Sequence, residues 1–170
     1  MAKGFRSETD PLGALDVPED AYYGVQTARA VENFPISGLR MHDDLITATI
    51  LIKKAAAEAN AALGRLEPDI ANAIRTAADE ILSGALRDQF VVDVYQAGAG
   101  TSHNMNANEV LANRAGEILG EPKGTYARVH PNDHVNMGQS TNDVYPTATR
   151  LALLLGAAPL AASEIGRAHV

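Results

Sequence analysis

Val144–Ala162 reads VYPTATRLALLLGAAPLAA, and how this stretch is buried decides what fold the chain can adopt. Leu151, Leu153, Leu154, Leu155 and Leu160 fall on every side of a 3.6-residue period, and no polar face survives beyond Arg150. A helix of this kind must be covered on several sides, and nothing else in the chain is large enough to cover it. The expectation is a mainly α fold in which an N-terminal helical domain ends in one central-bundle helix, cut off before its partners. The boundaries follow as 1–139 for the N-terminal domain and 140–163 for the start of the bundle.

Upstream of this helix the elements are shorter and better punctuated. Phe5–Val17 is extended in character, and Asp10-Pro11-Leu12-Gly13 is a turn with Pro at i+1 and Gly at i+3, which predicts a small β-hairpin. Val17–Asp20 opens a short segment, AYYGVQTARAVENF, to which no element type is assigned. A first long helix is expected over Leu45–Leu63, with Ile46, Ile50 and Ala57 on an apolar face, Lys53 and Lys54 on a polar one, and Gly64 as its stop. Pro68 starts a second helix whose stripe is Ile70, Ile74, Ala77 and Ile81, ended by Gly84. Phe90–Tyr95 is an extended run or a connector. A third helix is expected from about Asn106 to Leu119, with Val110 and Ala115 inward and Gly120 ending it, followed by a loop to Arg128.

Two polar runs carry the chemistry. Gln96–Asn108 reads QAGAGTSHNMNAN and His130–Asp143 reads HPNDHVNMGQSTND. Uncharged donors at this density suit many short hydrogen bonds to a small anion whose charge shifts during reaction, although Asx-rich loops alone produce similar strings. Ser140, Thr141, Asn142 and Asp143 precede the apolar helix. Capping explains one of them and not four, and hydroxyls at a helix N-terminus join its free N–H groups into an anion site. Gly98, Gly100 and Thr101 offer a matching half, in which glycines admit close backbone approach. No third Gly and no Gly-Lys-Ser/Thr follow, so neither a dinucleotide fingerprint nor a P-loop is present.

Composition narrows the partners. The 170 residues are 46% hydrophobic and 21% charged, which fits a globular chain; aromatics are 5% with no Trp, so the core is aliphatic. A net charge of −7 without a basic cluster argues against nucleic acid and anionic membranes, and the absence of Cys excludes thiolate sites and Cys nucleophiles. The N-terminus MAKGFRSETD lacks an apolar signal region, from which a cytoplasmic location is expected. No apolar run is expected to reach the roughly 20 residues that span a bilayer.

Tyr22–Thr27 with Glu32-Asn33-Phe34, VDVYQAGAGTSHNMNANEVLAN at 92–113, and HPNDHVNMGQSTNDVYPTA at 130–148 resemble the aspartase/fumarase superfamily. The resemblance extends from about Phe5 to about Ala162. AYYGVQT, VDVYQAGAGTS and QSTND are closer to its aspartase branch than to class II fumarases, which keep Trp-Gly-Ala-Gln-Thr-like, Ser-Gly-Ser-Gly-Thr and Ser-Ser-Asn-Asp strings. It implies reversible anti-elimination of ammonia from L-aspartate to give fumarate. A base removes a Cβ proton, and charge gathers on the adjacent carboxylate. Under this resemblance Thr101, Ser140 and Thr141, beside Gly100, bind that carboxylate, and Asn142 helps place the amino group. His130, Asn132 and Asp133 match a secondary anion site; for His130 a loop histidine satisfied by backbone is an equal alternative. His103 and His134 are expected to be structural, and His42 a surface helix residue.

The family's loop of GSSxMPxKxN pattern, with its base serine, and its Thr-His element do not occur here. The catalytic residues proper are therefore expected to lie outside this chain, and the chain alone to be inactive. The resemblance further implies no cofactor or metal, and a homotetramer of the full-length parent with sites built from three subunits. A class II fumarase and a non-catalytic helical interaction module are the competing readings. Glu164–Val170, EIGRAHV, resembles the one-frame translation of a widely used sequencing adapter, and 164–170 is expected to be an appended tail. An independent DNA read in which the frame diverges after about codon 163 bears this out; an unchanged stop refutes it.

Overall fold

The hairpin forms at the expected turn. In the computed structural model, which describes residues 4–167, β1 (Phe5–Asp10) pairs antiparallel with β2 (Gly13–Pro18), in register from Phe5↔Pro18 to Asp10↔Gly13. Pro11 and Leu12 make the loop, and Gly13 closes it at φ 113°, a conformation that costs glycine little. Asp10 Oδ1 accepts the Leu12 N–H at 2.9 Å, and Arg29 clamps the same carboxylate with Nε–Oδ2 at 2.9 Å.

The segment left without an element type is a helix, α1 (Val25–Asn33). Its first residues carry no Ser, Thr or Asp cap, which is why the string AYYGVQTARA gives so weak a start signal. Two buried carboxylates from elsewhere do the capping. Glu109 accepts the N–H groups of Gly24, Gln26 and Thr27 at 2.9–3.0 Å, and Glu8 accepts that of Val25 at 2.9 Å. Four orphan donors are thereby satisfied by negative charge at the positive end of the helix. Arg6 holds Glu8 in turn and donates to the carbonyls of Pro18, Ala21 and Tyr23, which knits the hairpin to α1.

Three helices form the core. α2 (Asp43–Ala62), α3 (Pro68–Leu82) and α4 (Thr101–Ile118) pack in sequence, α2 on α3 and α3 on α4. Ile46 and Ile50 of α2, Ile70, Ile74 and Ile81 of α3, and Val110 and Leu111 of α4 are buried, with Val129 and Val135 beneath them. Gly64, Gly84 and Gly120 all take positive φ just beyond their helices, as their positions predict. His42 caps α2 by accepting the Asp44 N–H on Nδ1 at 3.2 Å; it is exposed but precedes the helix rather than lying on it. Phe90–Tyr95 is a connector, tied down by the Arg40↔Asp93 bridge, by the Val94 N–H on Leu39 O and by the Asp93 carboxylate, which accepts from Ser37 and Gly38.

Two expectations need correction here. α4 begins at Thr101 rather than near Asn106, because Gly100 turns the chain at φ 75° and Gln96 Oε1 accepts the His103 N–H at 2.7 Å, stabilising a first turn of poor helix formers. Lys53 is not on a polar face. It lies on the stripe of Ile46, Ile50 and Ala57 and is fully buried, whereas Lys54 turns out to pair with Asp79.

α5 (Thr141–Arg167) packs on α2, as far along as Gly156, where an added Cβ would lie 3.3 Å from Asp44 Oδ2. Beyond Leu151 its leucines face outward: Leu153 and Leu154 are 70% exposed and Leu160 63%. Leu45, Leu153, Ala157 and Leu160 line an apolar groove of about 550 Å³ between the two helices. By length and composition α5 over Thr141–Ile165 is apolar enough to cross a membrane, contrary to the expectation that no run would be. Its five leucines outweigh the one cation, Arg150, and the scattered Thr, Ala and Gly are too small to lower the mean. His169 lies outside the described residues.

Candidate functional site: the start of helix α5

The second polar run builds a turn and then a cap. His130 precedes a single π-turn, Pro131–Val135, and its Nδ1 accepts the N–H groups of Asn132 (3.3 Å) and Asp133 (3.2 Å). His134 Nδ1 accepts the His130 N–H at 2.9 Å. Asp133 Oδ2 lies 3.2 Å from the same Nδ1 of His130, and the His130 ring sits edge-on to Tyr126, towards the far end of α4. The backbone-satisfied reading of His130 thus describes its Nδ1. Asn132 and Asp133 are exposed.

Ser140 starts α5. Its carbonyl accepts from Asp143 and Val144, and its Oγ accepts the Asn142 N–H at 3.3 Å, so Ser140 is the one capping residue of the four. Thr141 faces inward, where its Oγ1 accepts from Asn104 Nδ2 at 3.2 Å. With its lone pair so engaged, the Thr141 hydroxyl hydrogen is available to an acceptor beyond the helix end. Asn142 is exposed.

The first polar run meets this helix start. Gly100 lies under the Tyr145 ring of α5, and a Cβ on it would stand 2.2 Å from Tyr145 Cγ. Thr101 follows as the first, exposed residue of α4, and Asn104 is one turn further on. The structure therefore brings the N-terminal turns of α4 and α5 together, with Gly100, Asn104, Thr141 and Tyr145 in contact across the seam. The His130 turn stands apart from that seam, although its own chain returns to it at Asn136.

Beneath the seam lies a buried polar network that composition did not announce. Lys53 Nζ donates to Asn136 Oδ1 at 2.7 Å and Gln139 Oε1 at 3.0 Å, and Asn104 Nδ2 also donates to Asn136 Oδ1 at 3.2 Å. Burial lowers the Lys53 pKa to about 7. His103 Nε2 contacts Thr49 Oγ1 at 3.0 Å; the Thr49 hydrogen goes to Leu45 O at 2.8 Å, so Nε2 carries the imidazole proton. Burial, with the nearby Lys53, lowers the His103 pKa to about 4, and the ring is neutral at physiological pH. His103 Nδ1, Asn104 Oδ1 and both amide atoms of Asn108 are buried without a protein partner. Such groups cost about 1–3 kcal/mol each, so this region trades stability for polarity.

Lys53, Asn104, Asn136, Gln139 and Tyr145 were not singled out in the sequence. A signal existed for Lys53, since 46, 50, 53 and 57 follow the i, i+4, i+7, i+11 stripe of a buried face. Among the described residues no cluster of three or more His, Asp or Glu is placed to hold a metal ion.

The lyase family's sequence profile matches residues 13–161, so the chain belongs to that family, and within it to the aspartase/fumarase superfamily. It is 57% identical over 154 residues to an aspartate ammonia-lyase of Bacillus sp, covering 91% of this chain and 33% of the relative. It is 56% identical over 154 residues to a class II fumarate hydratase of Halobacterium salinarum, with the same two shares, 91% and 33%. A crystal structure titled fumarate lyase:delta crystallin, from Brucella melitensis, superposes with TM-score 0.86 at 59% identity over 88% of this chain and 34% of that one. The chain spans about a third of the length of the relatives it matches.

Proposed function

We propose that this chain is the N-terminal third of a carbon–nitrogen lyase that removes ammonia from L-aspartate, reversibly, to give fumarate. The supporting observation is the Asn104–Thr141 hydrogen bond, which joins the two polar runs at the helix start where a carboxylate is best held. In this reading Thr101, Ser140 and Thr141 donate to the carboxylate next to the carbon that loses its proton, with Gly100 allowing the approach. Asn142 orients the amino group. Their bonds strengthen as charge gathers on the carboxylate oxygens, and ammonia then leaves from the neighbouring carbon. The base lies outside this chain.

His130, Asn132 and Asp133 are proposed as an outer anion site. Because the N–H groups of residues 132 and 133 are engaged by His130 Nδ1, such a site would rest on the Asn132 amide and the His130 Nε2. The full-length protein is proposed to be a cytoplasmic homotetramer without cofactor, with neither nucleic acid nor membrane as partner, in which the exposed leucines of α5 are covered by sister helices. A class II fumarase is the second reading, favoured by the near-equal identity to the Halobacterium salinarum hydratase.

A hybrid enzyme tests this directly, with residues 1–163 replacing the matching third of the Bacillus aspartate ammonia-lyase. Its kcat/KM for L-aspartate is expected to exceed that for L-malate by at least about 100-fold. Thr141→Ala is expected to lower kcat by about 10²–10³. The 170-residue chain alone is expected to produce no fumarate. A hybrid that prefers L-malate overturns the ammonia-lyase reading in favour of the hydratase.

A further inference from the structure

Lys53 is a buried cation with an unusual set of partners. Its Nζ is held by two amide oxygens, Asn136 and Gln139, and burial alone sets its depressed basicity. The elements packed against it present Asn136 and Gln139 from the loop, Asn104 from α4 and Thr141 from α5, none of them charged. The nearby titratable group is His103 of α4, which burial and the Lys53 charge keep neutral above about pH 4. Burying an ammonium without a carboxylate is costly, and such groups either lose the proton or receive a counter-charge from a ligand. Both charge states fit this geometry. An amine has two N–H groups and an ammonium three, so the bonds to Asn136 and Gln139 survive either way.

The route from Lys53 to the proposed carboxylate site is short. Asn136 Oδ1 accepts from both Lys53 and Asn104, and the second Asn104 N–H reaches Thr141 Oγ1. Gln139, the other partner of Lys53, immediately precedes Ser140 and is braced by Val135 O at 2.9 Å. Both residues that hold Lys53 therefore also fix the start of α5.

We propose that Lys53 is a positioning residue of the carboxylate site, which holds the loop at Asn136 and Gln139 and, through Asn104, the Thr141 hydroxyl, and which takes up a proton when a dicarboxylate binds at the start of α5. The proton comes from solvent and ends on Nζ; no other bond changes. The inference rests on the proposed function only in assuming that a dicarboxylate binds there. Its consequence is a defined pH dependence. Below about pH 7 the amine is already protonated and affinity is flat. Above about pH 7 binding must recruit the proton, and affinity falls by about tenfold per pH unit until the bound-state pKa is passed.

The test uses the hybrid enzyme described above, in which residues 1–163 sit in a complete ammonia-lyase, with labelled lysine side chains and threonine backbone, succinate as an unreactive dicarboxylate, and NMR. This chain contributes four lysines, Lys3, Lys53, Lys54 and Lys123, and Lys53 is assigned by one substitution. Without succinate Lys53 is expected to titrate with a midpoint of about 7, and with saturating succinate about one pH unit or more higher. Lys53→Met is expected to weaken succinate binding about tenfold at pH 6.5 and to make it independent of pH, whereas Lys53→Arg keeps both the affinity and the flat profile up to about pH 9. If succinate moves the backbone signals of Thr101 and Thr141 while the Lys53 midpoint stays put, this inference fails and the carboxylate site stands. If saturating succinate moves none of these signals, the site and the inference fail together. The wild-type titration decides the matter even where the Met variant does not fold.

Discussion

Replacing Glu109 with Ala is expected to destabilise the chain by about 3–5 kcal/mol and to release α1 and the hairpin from the helical core. Glu109 is 1% exposed, and its two oxygens accept three N–H groups, those of Gly24, Gln26 and Thr27. Ala supplies no acceptor, and these donors sit in a crowded place. A Cβ on Gly24 would meet the Tyr126 hydroxyl at 2.2 Å, Glu8 Oε2 at 2.7 Å and the Glu109 carboxyl carbon at 2.9 Å. Water reaching the vacated space must therefore satisfy several donors beside the second carboxylate, Glu8. Glu109→Gln keeps the shape but turns an N–H towards one of the three backbone donors, so it recovers only part of the loss. Urea unfolding at neutral pH measures this, with Glu117→Ala as the comparison. Glu117 is a partly exposed carboxylate paired with Arg114, and its removal is expected to cost no more than about 1 kcal/mol. Equal losses for the two variants contradict the capping role.

Glu109 also illustrates which parts of the fold were legible in advance. Helices α2 and α3 announce themselves because a 3.6-residue apolar stripe, a Gly at the stop and, for α3, a Pro at the start are all local signals. The hairpin is equally local, since Asp10–Gly13 specifies its own turn. α1 is different: its cap lies 85 residues away on α4, and no window along the chain can reveal a helix whose first turn is satisfied by a distant carboxylate. The true start of α4 is hidden for a related reason, as Gln96 rather than a residue of the helix stabilises its opening turn. At the site, composition pointed to the hydroxyls and amides at 100–101 and 140–142 because they are dense in the sequence. Lys53 escaped because a lysine is read as surface by default, although its position on the Ile46–Ile50–Ala57 stripe is that of a core residue. The residues that hold a site together are spread over α2, α4 and the loop before α5, and only their packing makes them one group.

Gly100→Ala is expected to damage both the proposed site and the stability of the chain, lowering kcat of the hybrid enzyme by about 100-fold. Two separate costs coincide at this position. The backbone is left-handed at φ 75°, where a side chain adds about 1 kcal/mol of strain. The new methyl would also lie 2.2 Å from Cγ and Cδ2 of Tyr145, the rigid root of the ring rather than a flexible tip, so relief requires α4 and α5 to part. Parting them stretches the Asn104–Thr141 bond, already 3.2 Å, and carries the Thr141 hydroxyl away from Thr101 on the other side of the seam. Stability is expected to fall by about 2–4 kcal/mol as well, and the two losses can be separated. Tyr145→Leu in the Gly100→Ala background removes the clash but not the backbone strain, so it is expected to restore most of the stability and part of the rate. Gly98→Ala is the matched control. Its backbone is outside the positive-φ set and a Cβ there meets nothing within 4 Å, so its stability change is expected to stay within about 0.5 kcal/mol and any loss of rate to stay well below that of Gly100→Ala. If Gly100→Ala and Gly98→Ala behave alike in both measurements, the contact between the starts of α4 and α5 does not organise the site, and the hydroxyls at 101 and 141 act independently or not at all.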